Sequence, residues 1–425
     1  MRIVFSTFGT FGDVNPLIAL ALELKRRGHT PVLAVPAMFR EKIEPVGIEF
    51  AAVRPNQDPN DKTMVELIWD IKKGTERGLR EFLFPALRDS YHDLLDAVIA
   101  NGGADLLVTG ELAYAGPIVA EKTGIPWASY VLAPLSFFSG YDPPVLPPYP
   151  NLSKLQSLVP GVSRMVPRFA RMITRNWPAP VYALRHELGL SRGKNPIFDA
   201  KHSERLVLAL FSRVLGGPQP DWPPSALITG FAFYDGDAGK TELTPELQEF
   251  LAAGPLPLVF TLGSAAVMAA GDFYEQSAQA VELLGERAVL LVGSDPHNRP
   301  RQALSDNIYV APYAPFSKIF PRAAAIIHQG GVGTTAQALK AGRPMLVMPY
   351  SHDQPDNARR VRHLGVAKVI QRKEYHAETA ATKIKDLLND NTYAQRAVEV
   401  ARVIAQEDGV ATACDALEER VNAGI

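Results

Sequence analysis

Twice along this chain, an apolar run of strand length is followed by a segment of helical spacing and then by another apolar run. "RIVFSTF" at 2–8 reads as a short buried strand. "PLIALALELKRRGH" at 16–29 repeats apolar residues at helical spacing and stops at Gly28, and "TPVLAVP" at 30–36 is a second strand. The rhythm recurs at "ADLLVTG", "AGPIVAEKTG" and "IPWASYVLAP". Strands alternating with helices predict an α/β fold with a parallel sheet covered by helices, because parallel neighbours need a crossover that packs back on the sheet.

Residues 134–180 interrupt this pattern with ten of the chain's 35 prolines, and read as a long excursion from the sheet. "DAKHSERLVLALFS" returns to regular structure. The loop-rich stretch at 216–245 then reads as a linker. The alternation restarts with strands at "PLVFTLGS", "RAVLLVG", "NIYVAPY", "AAIIH" and "PMLVMPY". Helices are predicted at "GDFYEQSAQAVELLGE", "KIFPRA", "TTAQALKAG", "QPDNARRVRHLG" and "ETAATKIKDLLND". The expected organisation is a first doubly wound domain at 1–215, the linker at 216–245 and a second such domain at 246–400. A terminal helix at 401–425 would pack back on the first domain. Open sheets of this kind bind ligands outside the carboxyl ends of their strands.

At 425 residues the chain is long enough for two or three domains. Lys plus Arg (44) and Asp plus Glu (45) balance, so the totals show no basic footprint for nucleic acid. The single cysteine, Cys414, excludes an intrachain disulfide, and the cytoplasm is the expected compartment. The first apolar run is too short for a signal peptide, and no stretch of about 18 apolar residues predicts a membrane span.

Two clusters carry chemistry. "IIHQGGVGTT" places His328, Gly330, Gly331, Gly333, Thr334 and Thr335 between a strand and a helix start. A helix N-terminus offers unpaired N–H groups and partial positive charge, so such a turn suits a phosphate. His328 would donate a ring N–H to the same anion. The pattern equally fits a strand–helix turn with a capping Thr. No Lys follows in P-loop spacing, and the turn is not G-x-G-x-x-G. After the next strand, Asp353 and Gln354 offer a carboxylate and an amide suited to sugar hydroxyls, while Asp353 or Ser351 would also serve as a helix N-cap.

Together, "HQGGVGTT…AGRPMLVMPYSHDQPDNA" resembles the donor-binding box of family 1 glycosyltransferases, whose plant version reads H-C-G-W-N-S and ends D-Q-x-x-N-A. The N-terminal "FGTFGDVNPLIALALELKRRGH" resembles the family's opening, so the resemblance spans essentially the whole chain. "LVFTLGS", "GDFY" and "QPDWPPSALITGFAFYDG" look closest to a bacterial branch that includes rhamnolipid and flavonoid rhamnosyltransferases. The resemblance implies the GT-B fold, two Rossmann-like doubly wound domains facing across a cleft. It also implies inverting, metal-independent transfer of a hexose from a nucleotide diphosphate, with dTDP-rhamnose favoured and UDP-glucose next. The acceptor would be a hydroxyl of a hydrophobic small molecule, a polyphenol or a hydroxy-lipid. A nucleotide-sugar epimerase or hydrolase of the same fold, or a non-catalytic aglycone-binding protein, are the alternatives.

By the family's pattern, His328 and the Gly-Thr turn hold the diphosphate with Ser264, Asp353 and Gln354 hold the sugar, and Asn357 supports the turn. Asp13, three residues before Pro16, stands where plant relatives carry their catalytic His. It would take the acceptor proton; on the residues alone it would be a helix N-cap. The family's partner for that base falls at Gly110, with Glu111 adjacent. The plant base-stacking Trp corresponds to Val310, which leaves Tyr313 as a stacking substitute. Phe137, Phe138 and Tyr141 are the expected acceptor contacts. No metal or other cofactor is expected, and "DGD" at 235–237 reads as a solvated turn. Arg164, Arg168, Arg171 and Arg175 beside Met165, Phe169 and Met172 fit either a solvated basic helix face or a weak peripheral membrane contact. For that helix, Pro167 would have to lie in the first turn. The sequence leaves oligomeric state open.

Overall fold

A computed structural model describes residues 1–56, 68–70, 72–147, 162–234, 236 and 242–422. The chain divides into two compact units, Met1–Tyr234 with Glu407–Ile425, and Asp235–Gln406.

In the first unit, β1 (Arg2–Ser6), β2 (Thr30–Val35), β3 (Glu49–Ala52), β4 (Leu106–Gly110), β5 (Trp127–Val131), β6 (Val207–Ala209) and β7 (Ala226–Ile228) form one parallel sheet. Their order is β3-β2-β1-β4-β5-β6-β7. The winding reverses between β1 and β4, which run in register with Ser6 beside Thr109. Helices α1 (Phe11–Arg26), α2 (Leu87–Ile99), α3 (Gly116–Thr123), α4 (Val162–Ile173) and α5 (Ala179–Glu187) belong to this unit.

The second sheet is also parallel. It contains β8 (Leu258–Thr261), β9 (Ala288–Leu291), β10 (Ile308–Ala311), β11 (Ala325–His328), β12 (Met345–Val347) and β13 (Ala367–Val369), in the order β10-β9-β8-β11-β12-β13. Here the winding reverses between β8 and β11, with Thr261 beside His328. The helices are α6 (Pro245–Ala252), α7 (Phe273–Leu284), α8 (Val332–Lys340), α9 (Gln354–His363), α10 (Ala377–Asn389) and α11 (Asn391–Ile404).

Several boundaries differ from the sequence reading. Helix α1 starts at Phe11, five residues before Pro16, because Thr10 caps it and Asp13 completes a capping box. The stretch expected to be a linker contributes β7, paired with β6 at Val207–Ala226; short loop-flanked strands carry little periodic signal. The expected terminal helix is two helices: α11 ends at Ile404, and α12 (Gly409–Asn422) follows. Pro167 lies in the interior of α4, beyond the first turn. Asp235 and Asp237 of "DGD" lie outside the described residues.

Helix α12 packs on α1. Ala413, Cys414 and Leu417 are buried in one cluster with Val14, Leu17, Ile18 and Leu24. Full burial of a large aliphatic side chain contributes about 1.5–3 kcal/mol. At its edge, Arg27 of the α1 terminus bonds Asp415 (2.6 Å) and Glu418 (2.7 Å), and His29 meets Glu418 at 2.6 Å. Gly409 begins α12 where a Cβ would meet the Phe231 carbonyl oxygen at 2.5 Å, so only glycine lets the backbones touch there.

Candidate active site

Each sheet places polar residues at the carboxyl ends of the strands flanking its reversal, where open α/β sheets bind ligands. In the first unit these residues follow β1 and β4. Asp13 sits at the third position of α1. Its Oδ2 accepts from the Thr10 N–H (2.7 Å) and the Thr10 hydroxyl (3.1 Å), and no other described residue donates to Oδ1. The local sequence makes room for this carboxylate, since a Cβ on Gly9 (φ +142°) would lie 2.2 Å from Oδ2. Burial pushes the carboxyl up from 3.8 to about 6. The Thr10 bonds pull it down and the charge of Glu111 pushes it further up. The result is a carboxylate still ionised at neutral pH but a better base than a free Asp.

Gly110 ends β4 with no side chain to partner Asp13. A Cβ there would lie 2.7 Å from the Tyr130 hydroxyl and 2.8 Å from Thr7 Oγ1, so those groups fill the space. Glu111 does not replace the missing partner. Its oxygens accept from Ser136 Oγ (2.7 Å) and Lys201 Nζ (2.6 Å), and it acts on Asp13 through its charge alone. Neither Ser136 nor Lys201 was singled out in the sequence reading, because 90 residues separate the ion pair in the chain.

In the second unit, His328 ends β11 fully buried. The Gly330 N–H donates to its Nδ1 at 3.0 Å. Burial drives the imidazole down to about 3, so the ring is neutral. A neutral ring with an accepting Nδ1 carries its proton on Nε2. That Nε2 is buried and has no hydrogen-bond partner among the described residues. His328 therefore offers a hydrogen bond from a neutral ring, since desolvation disfavours the imidazolium.

The turn after it is built by glycines. Gly330 (φ +88°) leaves no room for a Cβ, which would lie 2.8 Å from Val347 Cγ1. Gly331 caps α8 without a side-chain bond. A Cβ on Gly333 would meet nothing within 4 Å, so that position is open to close approach. Thr334 and Thr335 are buried in the first turn of α8. Thr334 Oγ1 accepts from Gln329 Nε2 at 3.5 Å, and Thr335 Oγ1 has no partner among the described residues. Ser264 lies exposed in the turn after β8, beside β11.

Asp353 and Gln354 are at the same edge, after β12, and are partly engaged. Asp353 Oδ2 accepts from Val332 N (3.2 Å) and Asn357 Nδ2 (2.6 Å). Asn357 Nδ2 also donates to the Gly330 carbonyl (3.0 Å), so Asn357 supports the turn. Asp353 occupies the cap position of α9 but makes no capping bond. Instead its carboxylate completes the N-terminus of α8. Gln354 Oε1 accepts from the backbone N–H groups of Tyr350 (2.8 Å) and Ser351 (3.4 Å), which leaves its Nε2 donors for other use. Between Ser351 and Asp353, His352 holds φ +56°, a strained conformation for a non-glycine residue that the sequence did not signal.

The remaining expected residues are dispersed. Tyr313 is partly exposed after β10, three strands from β11 and hence roughly 14 Å along the sheet; it is not part of the His328 cluster. Phe137 is buried against Trp222, ring centroids 4.1 Å apart, and builds the core instead of lining an open surface. Phe138 packs edge-on to Phe198, and Tyr141 is exposed beneath the Arg164 guanidinium. Two cavities of the first unit have other linings. One lies at the carboxyl ends of β1–β3 against Thr7, Phe8, Val53, Leu83, Leu112 and Tyr114. The other touches Glu111, Tyr114 and Lys201. Phe8, Leu112 and Tyr114 escaped the sequence reading because an apolar wall residue looks like any core residue.

Two parallel sheets, one with a buried carboxylate and one with a glycine-rich strand–helix turn at their reversals, define a two-unit α/β architecture of Rossmann-like domains. Residues 3–135 match the glycosyltransferase family 28 N-terminal domain, and residues 279–417 match the erythromycin biosynthesis protein CIII-like C-terminal domain. The chain is 32% identical to O-mycaminosyltylonolide 6-deoxyallosyltransferase of Streptomyces fradiae over 99% of this chain and 97% of that one. In three dimensions it resembles the glycotransferase of kitacinnamycin (TM-score 0.71, 20% identity, 99% of both chains). It also resembles the spinosyn rhamnosyltransferase SpnG complexed with thymidine diphosphate (TM-score 0.68, 18% identity, 97% of this chain and 98% of that one). The chain belongs to the family 28, EryCIII-like glycosyltransferases of the GT-B fold, related to macrolide glycosyltransferases.

Proposed function

We propose that the protein is an inverting glycosyltransferase that moves a sugar from a nucleotide diphosphate donor, dTDP-rhamnose before UDP-glucose, to a hydroxyl of a hydrophobic secondary metabolite. The observation that carries this reading is the unpartnered, buried Nε2–H of His328 beside the N-terminus of α8. A neutral donor in a desolvated place is costly unless an acceptor arrives, and a diphosphate oxygen is such an acceptor. The relative of known activity transfers a 6-deoxyhexose, and one similar structure holds thymidine diphosphate; both support the dTDP choice.

In the reaction, the acceptor oxygen bonds to the anomeric carbon as the bond from that carbon to the diphosphate oxygen breaks. Asp13 receives the hydroxyl proton. The leaving diphosphate gains charge that His328 Nε2–H, the first-turn N–H groups of α8 and the hydroxyls of Ser264 and Thr335 stabilise. These donors supply the electrostatic work, so the reaction is proposed to be metal-independent. Gln354 Nε2 and Asp353 contact the sugar. The acceptor, a macrolide-like polyketide, flavonoid or hydroxy-lipid, would lie against the apolar wall of the first unit around Phe8 and Tyr114.

Calorimetric titration with dTDP and with UDP, in chelator, tests the donor half. Tighter dTDP binding is expected, tighter UDP binding would move the donor to a UDP-sugar, and no binding of either would remove the reading. Sugar release without acceptor would indicate a hydrolase or epimerase. Nucleotide binding with no turnover of any acceptor would indicate a non-catalytic binder.

A further inference from the structure

Helix α4 contains no acidic residue and, with Arg175 just beyond it, presents a two-sided outer surface. Val166, Pro167 and Ala170 face inward and are buried. Met165 and Met172 lie on the outer face and are 62% and 60% exposed, with Ile173 exposed beside them. Positions 165 and 172 are two turns apart on one stripe. Arg164, Arg168, Arg171 and Arg175 line the adjoining stripe. Arg171 is paired with Asp199 (2.7 Å) and Arg164 lies over the Tyr141 ring. Arg168 and Arg175 are exposed and make no ion pair with any described residue.

Four exposed large apolar side chains on this face, Met165, Phe169, Met172 and Ile173, are uncommon on a solvated helix, where the outward face is normally polar. The exposed Arg168 and Arg175 on the adjoining stripe complement a negatively charged surface, which an anionic bilayer combines with an apolar interior. Flexible Met chains insert readily into such a medium, and Arg beside them can keep its stem in apolar surroundings and its head at a charged boundary. No described helix is long and apolar enough to cross a membrane, so any contact with a bilayer through these helices is at its surface.

We propose that this face of α4 docks the protein on an anionic lipid bilayer, with Met165, Met172 and Ile173 entering the interface and Arg168 and Arg175 meeting lipid headgroup charge.

Vesicle co-sedimentation of the full chain tests it, using phosphatidylcholine alone and an equal mixture with phosphatidylglycerol. Pelleting is expected with the mixture at low salt, with little on phosphatidylcholine alone. Replacing Arg168 and Arg175 by Ser should weaken binding about fivefold per residue. The double variant Met165→Ser/Met172→Ser should lose binding to the mixture while keeping wild-type circular dichroism and dTDP affinity, since both positions are exposed. Failure of the wild type to pellet with either vesicle would overturn the proposal, as would a Met double variant that pellets like wild type. If the wild type dimerised in solution, pelleted with neither vesicle and became monomeric in the Met variant, the face would be a contact between copies and the proposal would fall.

Discussion

Asp13→Asn separates the cost of the proposed base from its benefit. The carboxyl is raised from 3.8 to about 6, chiefly by burial. A group raised on folding stabilises the fold while protonated, and loses that contribution as pH climbs from the unfolded value through the folded one. A shift of roughly 2 units corresponds to about 3 kcal/mol at 1.36 kcal/mol per unit. This is a ceiling, because the residue is only half-buried and solvent screens part of the charge. Asn keeps the shape but has no ionisation to pay for. The stability of Asp13→Asn minus that of wild type should therefore rise between pH 4 and pH 7, by up to about 3 kcal/mol. Any loss of the capping-box bond to Thr10 adds an offset of about 1 kcal/mol. All four tryptophans, Trp69, Trp127, Trp177 and Trp222, belong to the first unit, so urea titrations read by tryptophan fluorescence follow that unit alone. In parallel, dTDP binding should survive and sugar transfer should be lost, while wild-type kcat/KM should fall on the acid side near pH 6. A stability difference that is flat with pH would refute the raised carboxyl. Wild-type turnover by the variant would refute the base.

Three further outcomes follow from the same geometry. His328→Ala should weaken dTDP binding about 10- to 100-fold, the worth of one hydrogen bond to a charged group, and the wild-type imidazole should show no NMR titration from pH 8 down to pH 5, since burial holds it at about 3. Gly9→Ala places a Cβ 2.2 Å from Asp13 Oδ2, so kcat should drop with dTDP affinity unchanged; an unaltered kcat would show that the carboxylate position is not critical. Glu111→Gln removes a charge that raises Asp13, so the acid limb of kcat/KM should move to lower pH, while thermal stability falls because Lys201 stays buried without its counter-charge.

Periodicity was sufficient for the two α/β halves because parallel strands buried on both faces are continuous apolar runs, and the helices between them carry a one-sided stripe. It failed for β7, where three residues flanked by loops have too little pattern to register, and for the start of α1, where Pro16 was read as a beginning although the Thr10–Asp13 box had already nucleated the helix. The glycine-rich turn after β11 was legible because glycines, a histidine and threonines are local in the chain. The apolar lining of the first unit's pockets was not. Phe137 was expected at a sheet edge as an acceptor contact, and only packing against Trp222, 85 residues away, shows that it is buried in the core.

The sequence by itself determined the doubly wound class, the place of the glycine-rich turn and the residues with the chemistry to bind phosphate and accept a proton. Those properties belong to residue type and short-range spacing. The tertiary structure decided their protonation and their partners. Burial makes His328 a neutral donor and Asp13 a stronger base, and remote residues bring Lys201 to Glu111 and Val332 to Asp353. Desolvation and long-range pairing depend on what the fold places around a side chain, and no local pattern encodes that.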